Sequence, residues 1–510
     1  MLHPFVFARC NPDKPAVIIA ETGETLTYRN LEESANQTAH LLRSLGLTAG
    51  DGVVVMLGNE TAMFEIYCAC DRAGLYFTPI STKLTAEEAR YILQDSGAKA
   101  FFSSADIEGT ANLRAGDLPS IEMFMTGEPL DGWRSWRQEK AAMPVLPIDD
   151  ERAGALMLYS SGTTGKPKGV KRPLPPGNLL TQPFIANLYE EGYGANSESV
   201  YLSPAPLYHA APLGWSQMTH RLGGTVIQMR KFDAEEVLAA IERHRVTLAQ
   251  FVPTHMIRIL RLPEEVKKRY DLSSLKVIFH SAAPCPVEVK QAFIDWLGPI
   301  VHEYYSGSEQ IGFTTISSEE WLEHRGSVGR PLGSPVRVCD DDGNLLQARQ
   351  PGLIYFEGAV TFDYHNDPAK TAEATNRHGW QTLGDVGWVD EDGYLYLTDR
   401  KSFMIISGGV NIYPQEIENL LSVHPKVHDV AIIGAPDSEM GEKVVAVIKP
   451  TEAAGPLEQV AEELRSHCRK HLSAVKVPRQ FDFVSELPRH PNGKLFKREL
   501  RDQYWQGHER

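Results

Sequence analysis

No stretch of the 510 residues approaches the run of apolar side chains needed to span a membrane. The opening segment, MLHPFVFARCNPDKP, lacks the basic region and long apolar run of a secretory leader. Cysteine is sparse: Cys10, Cys68, Cys70, Cys285, Cys339 and Cys468 show neither paired zinc spacing nor a disulfide framework. Cys68 and Cys70 alternate along an apolar stretch and read as buried thiols, which favours a reducing compartment. Positive charge is also in short supply. The formal net charge of −15 argues against a nucleic-acid-binding surface. Repeats and low-complexity segments are absent. The expectation is a soluble cytoplasmic enzyme, with no signal for its oligomeric state.

The composition, 42% hydrophobic and 23% charged, is that of a globular protein, and the length calls for at least two domains. The first part alternates strand and helix signals. Asn30-Leu31-Glu32-Glu33 fits a capping box, and Leu31, Ala35, Ala39, Leu42 and Leu45 follow on one helical face. Val53–Leu57 reads as a buried strand; a helix over 60–73, strands near 76–80 and 98–103, and a helix over 84–95 continue the pattern. Similar units recur with strands near 224–229, 247–252 and 275–281. Strands separated by helices imply doubly wound parallel sheets. After about residue 326, Asp342-Gly343 and Asp392-Gly393 signal hairpins of a β-rich subdomain. The fold expected is α/β: a large N-terminal domain over 1–399, a hinge at 400–402 and a smaller, mobile α+β domain over 403–510.

The strongest chemical signal is Tyr159-Ser160-Ser161-Gly162-Thr163-Thr164-Gly165-Lys166-Pro167-Lys168-Gly169. Glycines let backbone approach a ligand, and successive N–H groups with hydroxyls make an anion cradle. The spacing is not that of a Walker A loop, and Pro167 forbids a helix straight after Lys166. A loop between two strands that closes over β- and γ-phosphates is the better geometric reading.

This string resembles the phosphate loop of the adenylate-forming superfamily, which contains acyl- and aryl-CoA synthetases, peptide-synthetase adenylation domains and luciferases. Further family segments occur in order over more than 300 residues, so the resemblance covers essentially the whole chain. It is greatest to bacterial acyl-CoA ligases and to amide ligases of the coronafacate–amino acid type. It implies ATP and Mg²⁺ as cofactors, a small-molecule carboxylic acid as substrate, and CoA or an amine as acceptor.

The resemblance also implies site residues. Ser160 through Lys166 would bind ATP phosphates. Ser281-Ala282-Ala283-Pro284 would border the adenine. Tyr305-Ser306-Gly307-Ser308-Glu309 resembles the segment usually written Tyr-Gly-x-Thr-Glu, with Ser308 on phosphate and Glu309 on the metal. Asp385 would receive the ribose hydroxyls, and Arg400 would contact ribose and phosphate. Lys494, in Pro488-Arg489-His490-Pro491-Asn492-Gly493-Lys494, would bridge the carboxylate and the α-phosphate, two anions that must be neutralised to react. His209 would position the carboxylate or gate access to the adenylate, with Trp215 and Gly307 as further walls of the acyl pocket. Ser407-Gly408-Gly409 would line a tunnel for the pantetheine arm, with Pro414 opening a helix behind it. At the hinge, Ser402 stands where the family usually carries a charged residue. The expected reaction makes acyl-AMP and pyrophosphate, then transfers the acyl group, to CoA first and to an amine as the alternative.

Overall fold

The computed structural model describes residues 3–113, 115–160, 167–180, 183, 185–358, 362–489 and 495–506. They form two units that do not follow chain order. The first comprises Met1–Phe251, Leu262–Ile278 and Phe362–Thr371; the second comprises Val252–Arg261, Phe279–Thr361 and Ala372–Arg510.

In the first unit, six parallel strands make one sheet, in the order Arg134–Ser135, Glu122–Met125, Ala98–Ser103, Gly52–Met56, Tyr76–Pro79, Ala155–Leu156. Val53, Val54, Val55 and Met56 are all buried, the continuous apolar run expected of a strand covered on both faces. A second parallel set orders Leu248–Phe251, Val200–Ser203, Thr225–Gln228 and Pro15–Ile19, with Thr25–Thr27 antiparallel at its edge. The helix expected to start at Asn30 instead spans Tyr28–Ser44. Its N-cap is Thr27, whose side chain accepts from the Asn30 N–H. The reason is tertiary: Tyr28 is fully buried and donates its hydroxyl to the Gly224 carbonyl at 2.7 Å, which draws the helix start one turn back.

The second unit contains an antiparallel four-stranded sheet, Val336–Cys339, Gly352–Phe356, Asp385–Val389 and Leu395–Arg400. Its C-terminal part is built on the long antiparallel pair Val427–Asp437 and Gly441–Pro450. Val430, Ile432, Val444, Ala446 and Ile448 point to one face, where Ile417 and Leu421 of the helix Pro414–Ser422 and Val460 and Leu464 of the helix Leu457–His471 cover them. The alternate residues Ala431, Ile433, Val445 and Val447 bury Leu500 of the helix Lys497–Trp505 on the other face. A period of two along this pair thus turns both faces of a five-stranded sheet toward covering helices. No helix among the described residues is long and apolar enough to cross a membrane.

Candidate active site

Asp385 opens one strand and Arg400 closes the next, and the antiparallel register sets the two directly opposite each other. Side chains paired this way across a sheet are natural contacts. Arg400 Nε donates to Asp385 Oδ1 at 3.1 Å, and the Tyr305 hydroxyl donates to Oδ2 at 2.7 Å. Tyr305 ends the strand Val301–Tyr305, with its ring stacked against Phe356. Asp385 holds the Arg400 guanidinium more firmly protonated than usual, and Glu309 acts in the same direction. Burial, then the Asp385 charge, pushes the Tyr305 hydroxyl well above its ordinary pKa, so it remains a donor.

Glu309 sits in the turn that follows Tyr305. A Cβ on Gly307 would lie 2.7 Å from Glu309 Oε2 and 2.7 Å from Leu383, so a larger residue here would push these side-chain ends aside. Ser306 donates its hydroxyl to the Gly312 carbonyl at 2.7 Å and closes the turn, with Ser308 half-buried inside it. The turn thus carries a carboxylate and a hydroxyl, oxygen donors of the kind that Mg²⁺ takes.

Ser281, Ala282, Ala283 and Pro284 follow the strand Val277–His280. Ala282 has φ +74°, a left-handed conformation that costs a residue with a Cβ about 1–2 kcal/mol. Such strain persists where the surroundings over-determine it, often at ligand clamps. Beneath this segment lies a network that sequence reasoning missed. Lys290 Nζ pairs with Glu303 Oε2 at 2.9 Å, and His280 Nε2 lies 3.5 Å from the same oxygen; all three residues are buried. Burial pushes the Glu303 carboxyl up while Lys290 pulls it back down. The network ties His280, one residue before Ser281, to Glu303, two residues before Tyr305.

In the first unit, Ser160 ends the strand Leu158–Ser160, which pairs antiparallel with Lys168–Lys171, Ser160 opposite Lys168. Ser161, Gly162, Thr163, Thr164, Gly165 and Lys166 lie outside the described residues. Ala155–Leu156 joins the parallel sheet, and Leu158–Ser160 joins an antiparallel one. Each takes a different edge, so the chain changes sheets at Met157. His209 is the N-cap residue of the helix Ala210–Leu222, its ring 4.6 Å from that of Tyr208. Trp215, on that helix, is buried against Tyr189 and Tyr193.

Ser407, Gly408 and Gly409 stand at a tight hairpin between Ile405–Ser407 and Val410–Ile412. Gly408 and Gly409 both have positive φ, +56° and +78°, as a two-residue turn of this hand requires. Ser407 is buried, while the flanking Ile406 and Val410 are exposed. After Arg400 comes a short 3₁₀ turn, Lys401–Phe403. Asp399 Oδ2 accepts the Gln415 N–H at 2.9 Å, which places a carboxylate at the N-terminus of the helix Pro414–Ser422. This contact had no sequence signal beyond Asp399 and Pro414 themselves. Lys494 lies outside the described residues. Arg489, the last described residue before it, grips Asp429 with its guanidinium at 2.6 and 2.7 Å.

The model of the AMP-binding enzyme family matches residues 5–363, and that of the AMP-binding enzyme C-terminal domain matches 416–494. A feruloyl-CoA synthase from an Amycolatopsis species is 35% identical over 501 residues, spanning 98% of this chain and 97% of that protein. The o-succinylbenzoate CoA synthetase structure from Bacillus subtilis superposes with a TM-score of 0.80 at 27% identity, covering 98% of this chain and 97% of its own. The amide bond synthetase structure from Marinactinospora thermotolerans also gives 0.80, at 26% identity, covering 98% and 100%. The chain belongs to the AMP-binding enzyme family and is an AMP-forming ligase.

Proposed function

We propose that this enzyme is an acyl-CoA synthetase acting on an aryl carboxylic acid. The observation that carries the nucleotide half of this reading is Asp385, a carboxylate oriented from both sides by Tyr305 and Arg400. Two rigid donors leave it fixed in place to accept ribose hydroxyls. Glu309 would hold Mg²⁺, which supplies charge neutralisation at the phosphates when bound. Ser160–Lys166 would bind the β- and γ-phosphates, Ser281–Pro284 would border the adenine, and His209 would position the carboxylate. Lys494 would supply the cation between the two reacting anions.

CoA is the acceptor favoured by the relatives' names and by the Gly408-Gly409 turn, which keeps side chains away from a thin pantetheine arm. The segment 400–402 would be the hinge about which residues 403–510 turn between the two steps. The aryl acid rests on the feruloyl and o-succinylbenzoyl relatives. An amine acceptor is the second reading, supported by the amide bond synthetase of matching fold.

The test is product identity. Enzyme, ATP and Mg²⁺ are incubated with hydroxycinnamic, benzoic and straight-chain acids, each with CoA or with mixed amines. An aryl-CoA thioester is expected; an amide formed without any thioester would overturn the CoA assignment. Lys494→Ala should lose about 10²-fold in ATP–pyrophosphate exchange. It should still transfer the acyl group from supplied acyl-AMP.

A further inference from the structure

Far along the chain from the nucleotide residues, the helix Leu457–His471 carries Glu463, His467 and His471 at i, i+4 and i+8, one stripe of its surface. The His467 and His471 rings are 4.7 Å apart. His424, just beyond the helix Pro414–Ser422, faces the same stripe, its ring 5.1 Å from that of His467.

The tautomers select the chemistry. His471 Nδ1 lies 2.9 Å from the His467 carbonyl. A carbonyl only accepts, so Nδ1 carries the proton and Nε2 keeps its lone pair. The His467 Nε2 is buried with no hydrogen-bond partner. His467 therefore has a ring nitrogen with no protein partner to displace. Metal-ligating histidines are held as His471 is, one N–H on a carbonyl and the other nitrogen free. His424 differs. Its Nδ1 accepts the Lys426 N–H at 3.3 Å, so Nε2 carries the proton, and it lies 3.7 Å from Glu463 Oε1.

A rival cluster, His324 with Asp390 and Asp392, lacks this character. Asp390 already accepts from His324, Tyr396 and the backbone N–H groups of Asp392 and Tyr394.

We propose that His467 and His471 form a chelating site for a divalent transition metal such as Zn²⁺, Ni²⁺ or Cu²⁺, completed by Glu463 and water. Side-chain torsion alone brings imidazoles at i and i+4 onto one ion, as in helical metal motifs. Imidazole donors favour these metals over Mg²⁺, which separates this site from the ion used with ATP. Glu463 exchanges its present partner Lys426 for the ion. The bound metal would tie the last turns of this helix together and stabilise the C-terminal sheet that it covers.

The experiment is calorimetric titration of the tag-free full chain with Zn²⁺ in excess Mg²⁺. One equivalent should bind, at least about tenfold more weakly in His467→Ala and in His471→Ala, and unchanged in the control His378→Ala. Cu²⁺ electron paramagnetic resonance should show two imidazole nitrogens in the parent and one in each variant. Zn²⁺ should raise the melting temperature of the parent only. His471 is exposed, so its replacement leaves the metal-free melting temperature in place. Failure of the parent to bind, or equal binding in parent and His471→Ala, would overturn the proposal.

Discussion

Tyr305 donates its hydroxyl to one oxygen of Asp385 at 2.7 Å, across 80 residues of chain. Tyr305 is thereby a strut for the carboxylate.

Tyr305→Phe removes that strut and leaves one Asp385 oxygen without its donor. A hydrogen bond to a charged group contributes about 1.5–3 kcal/mol, so the KM for ATP should rise by roughly tenfold to a hundredfold, with a folded protein. Steady-state kinetics at saturating acid measure this. An unchanged KM would show that Asp385 does not depend on Tyr305 to bind nucleotide.

Ala282 holds a left-handed conformation that glycine adopts freely. Ala282→Gly should relieve the strain against a gain in unfolded-state entropy, for a net stabilisation of up to about 1 kcal/mol. The looser backbone should weaken ATP binding severalfold. Melting curves with and without ATP separate the two effects, and a destabilised variant would contradict the strain.

Lys290→Met strands Glu303 in a buried position, which should cost about 3–5 kcal/mol. Adding Glu303→Leu removes the stranded group, so the double variant should melt closer to the parent than Lys290→Met does. If the double variant is as unstable as the sum of both single changes, the pair is not a closed electrostatic unit.

Glu60 is set among Asp106, Glu24, Arg137 and Thr126, and burial with the Asp106 charge raises its pKa to about 7. A carboxyl with a raised folded-state pKa favours the folded protein while protonated in both states. That advantage is lost as pH climbs from the unfolded value, about 4.5, toward 7. Glu60→Gln should therefore raise stability at pH 8 by at most about 3 kcal/mol and leave it nearly unchanged at pH 4. Melting temperature against pH tests this, and a gain of equal size at both ends would rule out titration of Glu60 as the cause.

Much of this molecule was legible in the sequence because its strands and helices are long and strongly periodic. The strand expected at 98–103 spans Ala98–Ser103, and the helix expected over 84–95 spans Ala86–Asp95. What escaped reading depended on tertiary partners. Asn30…Glu33 satisfies the capping pattern, yet the helix starts earlier because the ring of Tyr28 is buried. Lys290 and Glu303 look like surface residues in a sequence, since charged side chains are rarely buried unless paired, and only the fold shows the pairing. Asp385 and Arg400 are separate candidates in the sequence, and only the fold sets them opposite each other. A bulge between Val386 and Gly387 shifts the count along the hairpin, and a register of that kind cannot be counted from the turn outward.

Under the proposed roles of Asp385 and Arg400, that hairpin makes the length of its connecting turn matter to the site. Because side chains alternate faces along a strand, inserting one residue between Val389 and Leu395 would turn Arg400 to the opposite face of the sheet and leave Asp385 without its cation. The residues from Asp390 to Tyr394 touch no nucleotide atom in this reading, yet they act as a gauge that keeps two chemical groups in phase. Selection on such a segment would act on the number of its residues as strongly as on their identity.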